Sequence, residues 1–250
     1  MPVTSALRDL TPPVIWRGLK RISSGLKNAS QNAPQITIEE IDYHANTSNW
    51  TLEHLRGEDD LRRMKVLSIT ARVAHLADYV ALFERVYHVT MIPPQIPFIY
   101  DRHRLVVVVG DFFEMGPTDI DCVMSHVTVH CLSDTRYGNE SAFGEEGMRR
   151  PYQFAEHLRK VIGSRRVPTF VSIAVNRDEG QVDNDRWLSH EKFLNSFQRH
   201  GFELKDHYFD YMCATDRQRQ TYQNLEFRRA ATLPVNQSDI NYVIGCYYFT

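Results

Sequence analysis

The sequence predicts an α/β protein built on a doubly wound, mostly parallel sheet of about seven strands, with an antiparallel pair at its C-terminal end. Short apolar runs of β type alternate along the chain with segments of helical periodicity, which is the order that βαβ units produce. The last two β-type runs are separated by the segment 213–240, which has no helical pattern. An antiparallel pair that closes the sheet accounts for this ending.

The strands are predicted from runs of apolar, β-branched and aromatic residues. They cover 66–69, 86–92, 105–109, 120–125, 169–175, 207–212 and 242–249. The third run, LVVVV at 105–109, is apolar without interruption, which predicts a central strand that is covered on both faces. The segment 213–240 is rich in arginine and is interpreted either as a rim over a site or as a solvated loop.

Three segments between the predicted strands have apolar residues at helical spacing. They are 73–85, 152–162 and 190–200. In the second, Phe154, Leu158 and Val161 recur at i, i+4 and i+7, which places them on one face of a helix.

The N-terminal residues 1–36 are predicted to be separate from an α/β domain at 37–250. Within them, 14–22 has the pattern of a short basic amphipathic helix, and 23–36 has the polar composition of a linker. Five basic residues and one acid give residues 1–36 a charge of +4, whereas the whole chain has a net charge of −2. The helix could contact an anionic membrane surface, or it could pack on its own domain.

Composition narrows the class of protein. The chain of 250 residues is 42% hydrophobic and 24% charged, as in soluble globular proteins. The net charge of −2 argues against a non-specific nucleic-acid binder. The four cysteines form no CxxC pair, so we expect reduced thiols and a cytoplasmic protein.

In open α/β sheets, ligands bind at the carboxyl ends of the strands, so the residues that follow each strand are the informative ones. SITARVA follows the first strand, GDFFE the third, and SHVTVHCLSDTRYGN the fourth. The segment 125–139 is the most polar of the three.

Three other patterns could indicate metal or nucleotide-sugar chemistry, but each is a weaker indication of a site than the polar segments that follow the strands. HVTVH at 126–130 lacks the glutamate of HExxH, so no metal site is predicted there. Asp119-Ile120-Asp121 has the DxD spelling of glycosyltransferases but leads into a strand rather than out of one. The oxygen-rich stretch 176–179 is interpreted as a divalent-cation site or as a charged surface loop.

The layout resembles the class I S-adenosylmethionine-dependent methyltransferases, especially a divergent branch associated with surface-sugar biosynthesis. The motifs that carry the resemblance are MKVLSI, GDFFE and DIDCVMSHVTVHCLSDTRYGN, followed by a helix, strand, helix and paired-strand ending. The resemblance covers 65–250 in outline and is sharpest at 110–139. It implies a Rossmann-like class I methyltransferase fold, S-adenosylmethionine as cofactor, and an enzyme that methylates a hydroxyl of a sugar or glycan.

The resemblance also implies roles for individual residues. The cofactor is expected to contact Ser68, Thr70, Ala71, Met91, Asp111, Phe112, Ser125 and His126. Asp111 would accept a hydrogen bond from the adenine amino group, although a cap of the Gly-Asp turn is an equal alternative. The catalytic base is expected to be His130, with Asp134 as its orienting partner or as the alternative base.

The acceptor is expected to contact Arg136, Tyr137 and Asn139, with Tyr137 stacking on a sugar face, although these residues could instead fix their own loop.

Two departures from the family pattern support a competing hypothesis. The turn SITARVAHL contains no glycine, and VYHVTMIPPQIP contains no acid at the position where the family holds the ribose hydroxyls. The alternative is therefore a catalytically degenerate protein that uses the same fold as a binding or scaffold module.

Overall fold

A computed structural model describes most of the region predicted to be the α/β domain. The described residues are 38–55, 61–70, 76–90, 94, 96, 100–126, 128–129, 145–182, 185–213, 227–234 and 240–250. The predicted basic helix and linker at 1–36 lie outside them.

The described strands form one mixed sheet of ten strands. In chain order they are β1 (Lys65–Ile69), β2 (Arg85–Thr90), β3 (Leu105–Val109), β4 (Cys122–His126), β5 (Thr169–Asn176), β6 (Gly180–Val182), β7 (Asp185–Ser189), β8 (Leu204–Cys213), β9 (Phe227–Ala230) and β10 (Ile240–Phe249). All seven predicted strands are present, with ends that differ by a few residues.

The strand order is β3-β2-β1-β4-β5-β10-β8-β9. The pairs from β3 to β5 are parallel, whereas β10 lies antiparallel between β5 and β8. The order reverses at β1, because β2 and β4 lie on either side of it. This reversal places a topological switch point at the carboxyl ends of β1 and β4, where ligands bind in such sheets.

Helices cover both faces of the sheet. They are α1 (Ile38–Leu55), α2 (Leu76–Leu82), α3 (Glu145–Ile162) and α4 (His190–Arg199). One apolar core packs α3 and α4 against the sheet, and a second packs α1 and α2 against the opposite face. The doubly wound architecture predicted from the sequence is therefore confirmed.

The prediction that Leu105–Val109 is a central strand is wrong. This segment is β3, and its only partner in the described sheet is β2, so it forms an edge. Only its first residue is buried, and the side chains of Val108 and Val109 are 38% and 51% exposed. An uninterrupted apolar run shows that a segment can be buried, but it does not determine where the strand lies in the sheet.

Four elements were not predicted. Helix α1 buries Trp50 and Leu55 together with Thr47 and Thr51, so its buried face is too polar for an apolar period to show. Strands β6 and β7 form a small hairpin beside β5, and β9 pairs with β8. The segment 213–240 is therefore not a loop throughout, since β9 lies within it.

The predicted helix 73–85 is shorter than expected, because α2 ends at Leu82 and β2 begins at Arg85. Among the described helices, none has the length and apolarity that crossing a membrane would require.

Candidate functional site

Buried polar side chains gather at the carboxyl ends of three adjacent parallel strands, β2, β1 and β4. The amino halves of these strands are buried through apolar residues such as Val66, Val86 and Val123. The carboxyl halves, together with the residue that follows β1, bury six polar side chains beside apolar ones such as Ile69 and Val89. The six polar residues, here called the polar cluster, are Ser68, Thr70, His88, Thr90, Ser125 and His126.

Strand register places most of the polar cluster on one face. Ser68 on β1 is aligned with His88 on β2, and His126 on β4 is aligned with Ser172 on β5. Because aligned residues of parallel strands point to the same side, these side chains face α1 and α2. Ser125 points to the opposite face, toward α3.

His126 is the most connected residue of the polar cluster. Its Nε2 lies 2.7 Å from the hydroxyl of Tyr79 on α2, and its Nδ1 lies 3.5 Å from the hydroxyl of Ser172. Its backbone carbonyl accepts hydrogen bonds from the hydroxyls of Thr70 and Thr128, at 3.3 and 2.8 Å. The end of β4 is thereby joined to β1, β5 and α2.

Burial controls the charge of His126 and Tyr79. The imidazole of His126 is 2% exposed, and its desolvation lowers the pKa of His126 to about 3. Burial also raises the pKa of Tyr79 above its usual value, more than the hydrogen bond with Ser48 lowers it. The Tyr79–His126 pair is therefore a hydrogen bond between two neutral groups at neutral pH.

His88 is buried, and neither of its ring nitrogens makes a well-aligned hydrogen bond to the described residues, although the backbone of Ser68 lies close enough to act on its pKa. Its side chain is fully buried on β2, and desolvation lowers the pKa of His88 to about 4, while hydrogen bonding with the backbone of Ser68 acts in the opposite direction. An unpaired buried polar group costs about 1 to 3 kcal/mol. A ring retained at this cost needs an explanation, such as a ligand or an ordered water.

Two more unpaired atoms lie near the same edge of the sheet. The hydroxyl of Ser125 is buried at the end of β4 and has no partner in the described part of the chain. The same holds for Oδ1 of Asp78, in the first turn of α2. Burial raises the pKa of Asp78 to about 6, so its carboxylate carries its charge at some cost at neutral pH.

Asp111 directly follows β3 and the glycine at 110, and it caps a short 3-10 turn at Phe112–Glu114. One carboxylate oxygen accepts the backbone N–H of Phe113 at 3.0 Å, and the other accepts from Nη2 of Arg150 on α3 at 2.8 Å. The capping role that the Gly-Asp turn suggested is thus observed. Hydrogen bonds from the described residues use two of the roughly four lone pairs of the carboxylate.

The two phenylalanines after Asp111 differ in burial. Phe112 is 2% exposed and packs among Phe154 and His157 of α3, with ring centroids 5.0 Å away in both cases. Phe113 is half-buried, and the guanidinium of Arg150 lies 5.0 Å from its ring centroid. In this structure Phe113 is the more exposed of the two aromatic rings beside Asp111.

Most of the loop that follows β4 lies outside the described residues. Predictions that fall there concern His130 and Asp134 as catalytic residues and Arg136, Tyr137 and Asn139 as acceptor contacts. Ala71 and Met91, the predicted cofactor contacts after β1 and β2, also lie outside the described residues. These assignments therefore stay predictions.

The DxD-like acids before β4 have partners within the fold. Asp119 pairs with Lys65 at 2.7 Å and with Arg165 at 3.0 Å, and it is largely exposed. Asp121 accepts the backbone N–H of Lys65 at the start of β1, at 2.8 Å. Both acids lie where β1 and β4 begin, at the opposite end of these strands from the polar cluster.

The acidic stretch after β5 also has partners on the surface. Glu179 accepts from the hydroxyl of Tyr152 and pairs with Lys192, each at 2.8 Å. Asn176 and Asp178 are exposed. Within the described residues, no group of three or more His, Cys, Asp or Glu side chains is arranged to hold a metal ion.

Tyr79, His88 and Arg150 were not selected from the sequence. His88 could have been noticed because it lies within the strand RVYHVT, where the residues before and after it are expected to be buried. Arg150 lies 39 residues from its partner Asp111, so spacing alone could not connect them.

No family model matches this sequence, and no curated protein does. Among solved structures, the chain is similar to the N-methyltransferase NodS from Bradyrhizobium japonicum, which was crystallised with S-adenosyl-L-homocysteine. The two share 8% sequence identity over 94% of this chain and 97% of NodS, with a TM-score of 0.52. The [4+2]-cyclase SpnF is also similar, at 11% identity over 96% of each chain and a TM-score of 0.51.

These similarities define the class of fold. The chain has the class I methyltransferase-like fold, with a largely parallel central sheet and an antiparallel strand near one edge. Because one similar structure is named a methyltransferase and the other a cyclase, the fold by itself does not assign the reaction.

Proposed function

We propose that this protein is an S-adenosylmethionine-dependent methyltransferase that acts on a hydroxyl group of a sugar or glycan. The observation that carries the proposal is the polar cluster. Buried polar side chains concentrate at the carboxyl ends of β1, β2 and β4, at the switch point where this fold binds its ligands.

The residues present fit a nucleoside cofactor. Asp111 has carboxylate lone pairs to spare for an amino group, and Phe113 offers a partly exposed ring beside it. Ser125 carries a buried hydroxyl that lacks a partner in the described part of the chain, and His88 carries buried ring nitrogens that make no well-aligned hydrogen bond there. Ser68 and Thr70, with the predicted Ala71 and Met91, would form the nearby wall of the site. When bound, the cofactor supplies the methyl group on a positively charged sulfur.

The chain's own task is to orient the acceptor and remove its proton. A general base is most effective when its pKa lies near the working pH. Burial holds the pKa of His126 at about 3, and its ring is already occupied by Tyr79 and Ser172. We therefore assign the base to His130, oriented by Asp134, and the acceptor contacts to Arg136, Tyr137 and Asn139.

The second candidate is a non-catalytic binding or scaffold module with the same fold. The observation that favours it is the composition of β2, whose carboxyl half presents His88 and Thr90 rather than an acid for the ribose. The turn after β1 also contains no glycine.

Calorimetric titration with S-adenosylhomocysteine, together with a methyl-transfer assay, tests the proposal. We expect the wild type to bind the ligand and His130→Ala to bind it equally well while losing turnover. His103→Ala, at an exposed turn, is the matched control and should keep both. No binding at millimolar ligand would overturn the proposal, whereas binding without transfer to sugar acceptors would favour the scaffold.

The basic segment 14–22 supports a further part of the proposal, a peripheral contact with anionic membranes. Sedimentation with vesicles that contain phosphatidylserine would test it, using the full chain and a variant that lacks residues 1–36. We expect only the full chain to sediment, and only at low salt. Equal sedimentation of both proteins would contradict the contact.

A further inference from the structure

The pair formed by Asp111 and Arg150 is half-buried and joins two elements at the carboxyl edge of the sheet. The side chains are 16% and 21% exposed, and Nη2 of Arg150 lies 2.8 Å from a carboxylate oxygen. Asp111 follows β3, whereas Arg150 lies in α3, which follows β4. The contact therefore fixes α3 beside the end of β3.

Arg150 is only partly satisfied by this pair. Its other terminal nitrogen, Nη1, is buried and has no hydrogen-bond partner in the described part of the chain. The guanidinium cannot lose its charge, so an unpaired buried N–H cannot be relieved by deprotonation. Contact with the ring of Phe113 stabilises the cation but accepts no conventional hydrogen bond. An acceptor supplied from outside the protein would satisfy Nη1.

The carboxylate of Asp111 can accept further hydrogen bonds. From the described residues, each of its oxygens accepts one hydrogen bond, from Phe113 N–H and from Arg150, whereas a carboxylate can accept about four. The ion pair therefore places an acceptor, the carboxylate of Asp111, next to a donor, Nη1 of Arg150.

We propose that Nη1 of Arg150 donates to the ring nitrogen next to the amino group that the resemblance already assigns to Asp111, so that the ion pair reads an amino donor beside a ring-nitrogen acceptor. The amino group donates to Asp111, and Nη1 of Arg150 donates to the adjacent ring nitrogen. Adenine presents this edge through its N6 amino group and N1. The inference rests on the proposed cofactor, and it makes Arg150 a specificity-determining residue of the site.

The alternative is that Arg150 only positions Asp111. Both roles predict weaker binding when Arg150 is replaced, so affinity for one ligand does not distinguish them. A ligand that lacks only the ring nitrogen does distinguish them, because it removes the acceptor for Nη1 and leaves the amino group in place.

The experiment is a thermodynamic cycle on the full chain, measured by calorimetry with S-adenosylhomocysteine and its 1-deaza analogue. We expect the wild type to bind the analogue roughly tenfold more weakly, the scale of one charge-assisted hydrogen bond. Arg150→Met should bind both ligands weakly and with equal affinity. Arg149→Met, the exposed neighbour on α3, is the matched control and should keep the wild-type preference.

Each outcome decides a different point. A preference for S-adenosylhomocysteine that survives in Arg150→Met would overturn the inference and leave Arg150 as a positioning residue. Equal binding of both ligands by the wild type would overturn it as well. Failure of the wild type to bind S-adenosylhomocysteine at all would remove the proposed function itself. Far-ultraviolet circular dichroism of each variant would confirm that the fold is intact.

Discussion

The hydroxyl of Tyr79 lies 2.7 Å from Nε2 of His126, and both side chains are buried at the carboxyl edge of the sheet. Tyr79 belongs to α2, which follows the turn after β1, and His126 is the last residue of β4. The hydrogen bond therefore joins α2 to the end of β4, beside the switch point.

We expect Tyr79→Phe to destabilise the protein by about 1 to 3 kcal/mol, because it leaves a buried imidazole nitrogen without its partner. Urea unfolding monitored by circular dichroism measures the change. Tyr211→Phe is the matched control, since its hydroxyl has no partner in the described part of the chain. It should change stability by less than about 0.5 kcal/mol. Equal effects of the two variants would show that the contact with His126 contributes little.

The strands of this fold could be predicted because burial between two helical layers requires apolar runs. KVLSI, CVMSH and TFVSIAVN are such runs, and each is a strand in the sheet. The short strands GQV and FRRA have no such pattern. They form because a neighbouring strand offers unpaired backbone groups, and sequence periodicity does not record that.

The site residues, too, divide into those that a sequence pattern shows and those that only packing between elements brings together. A serine or histidine at the end of an apolar strand is visible in the sequence, so Ser68, Ser125 and His126 could be selected. Their hydrogen-bond partners come from other elements, as Tyr79 does for His126, and are fixed only by packing. Asp111 could be selected from its Gly-Asp turn, but the ion pair with Arg150 depends on how α3 lies against β3.

Stability should fall in acid because two histidines are held neutral. Burial lowers the pKa of His126 to about 3 and the pKa of His88 to about 4, from the usual 6.5. Below pH 6.5 the unfolded chain binds protons that the folded protein excludes, so unfolding becomes easier as pH falls. Each histidine contributes a slope of about 1.4 kcal/mol per pH unit, down to pH 4 for His88 and pH 3 for His126.

Urea unfolding at a series of pH values between 3 and 7 measures this slope. Asn195→Ala, which changes an exposed residue of α4 that binds no proton in this pH range, is the control and should leave the slope as in the wild type. A stability that does not change between pH 7 and pH 4 would contradict neutral burial of the two histidines.

Asp78 should act in the opposite sense. Burial raises the pKa of Asp78 from 3.8 to about 6, so between these values the folded protein binds a proton that the unfolded chain does not. Its contribution to stability is present below pH 3.8 and is lost as pH rises through 6. Asp78→Asn should therefore stabilise the protein at pH 7 by about 1 to 3 kcal/mol.

The same variant should make the acid slope steeper between pH 4 and pH 6, because Asp78 no longer offsets the histidines. Asp101→Asn, on an exposed turn, is the control. If Asp78→Asn is less stable than the wild type at pH 7, the carboxylate must contribute more to the start of α2 than its burial costs.

His88 allows the cost of the polar cluster to be measured directly. His88→Leu replaces two buried nitrogens that make no well-aligned hydrogen bond to the described residues with an apolar side chain of similar size, and we expect it to stabilise the protein by about 1 kcal/mol at pH 7. The acid slope should also decrease by about 1.4 kcal/mol per pH unit between pH 4 and pH 6.5.

Measuring both the stability and the ligand affinity of His88→Leu tests whether His88 is kept for function. Groups that a protein keeps at a cost to its stability are commonly those that its function needs. We therefore expect His88→Leu to be more stable and to bind S-adenosylhomocysteine more weakly. Val86→Leu, on the same face of β2 but in its amino half, controls for changes in packing and should leave the affinity unchanged. Lower stability in His88→Leu would show instead that the imidazole has a partner in the folded protein, such as an ordered water.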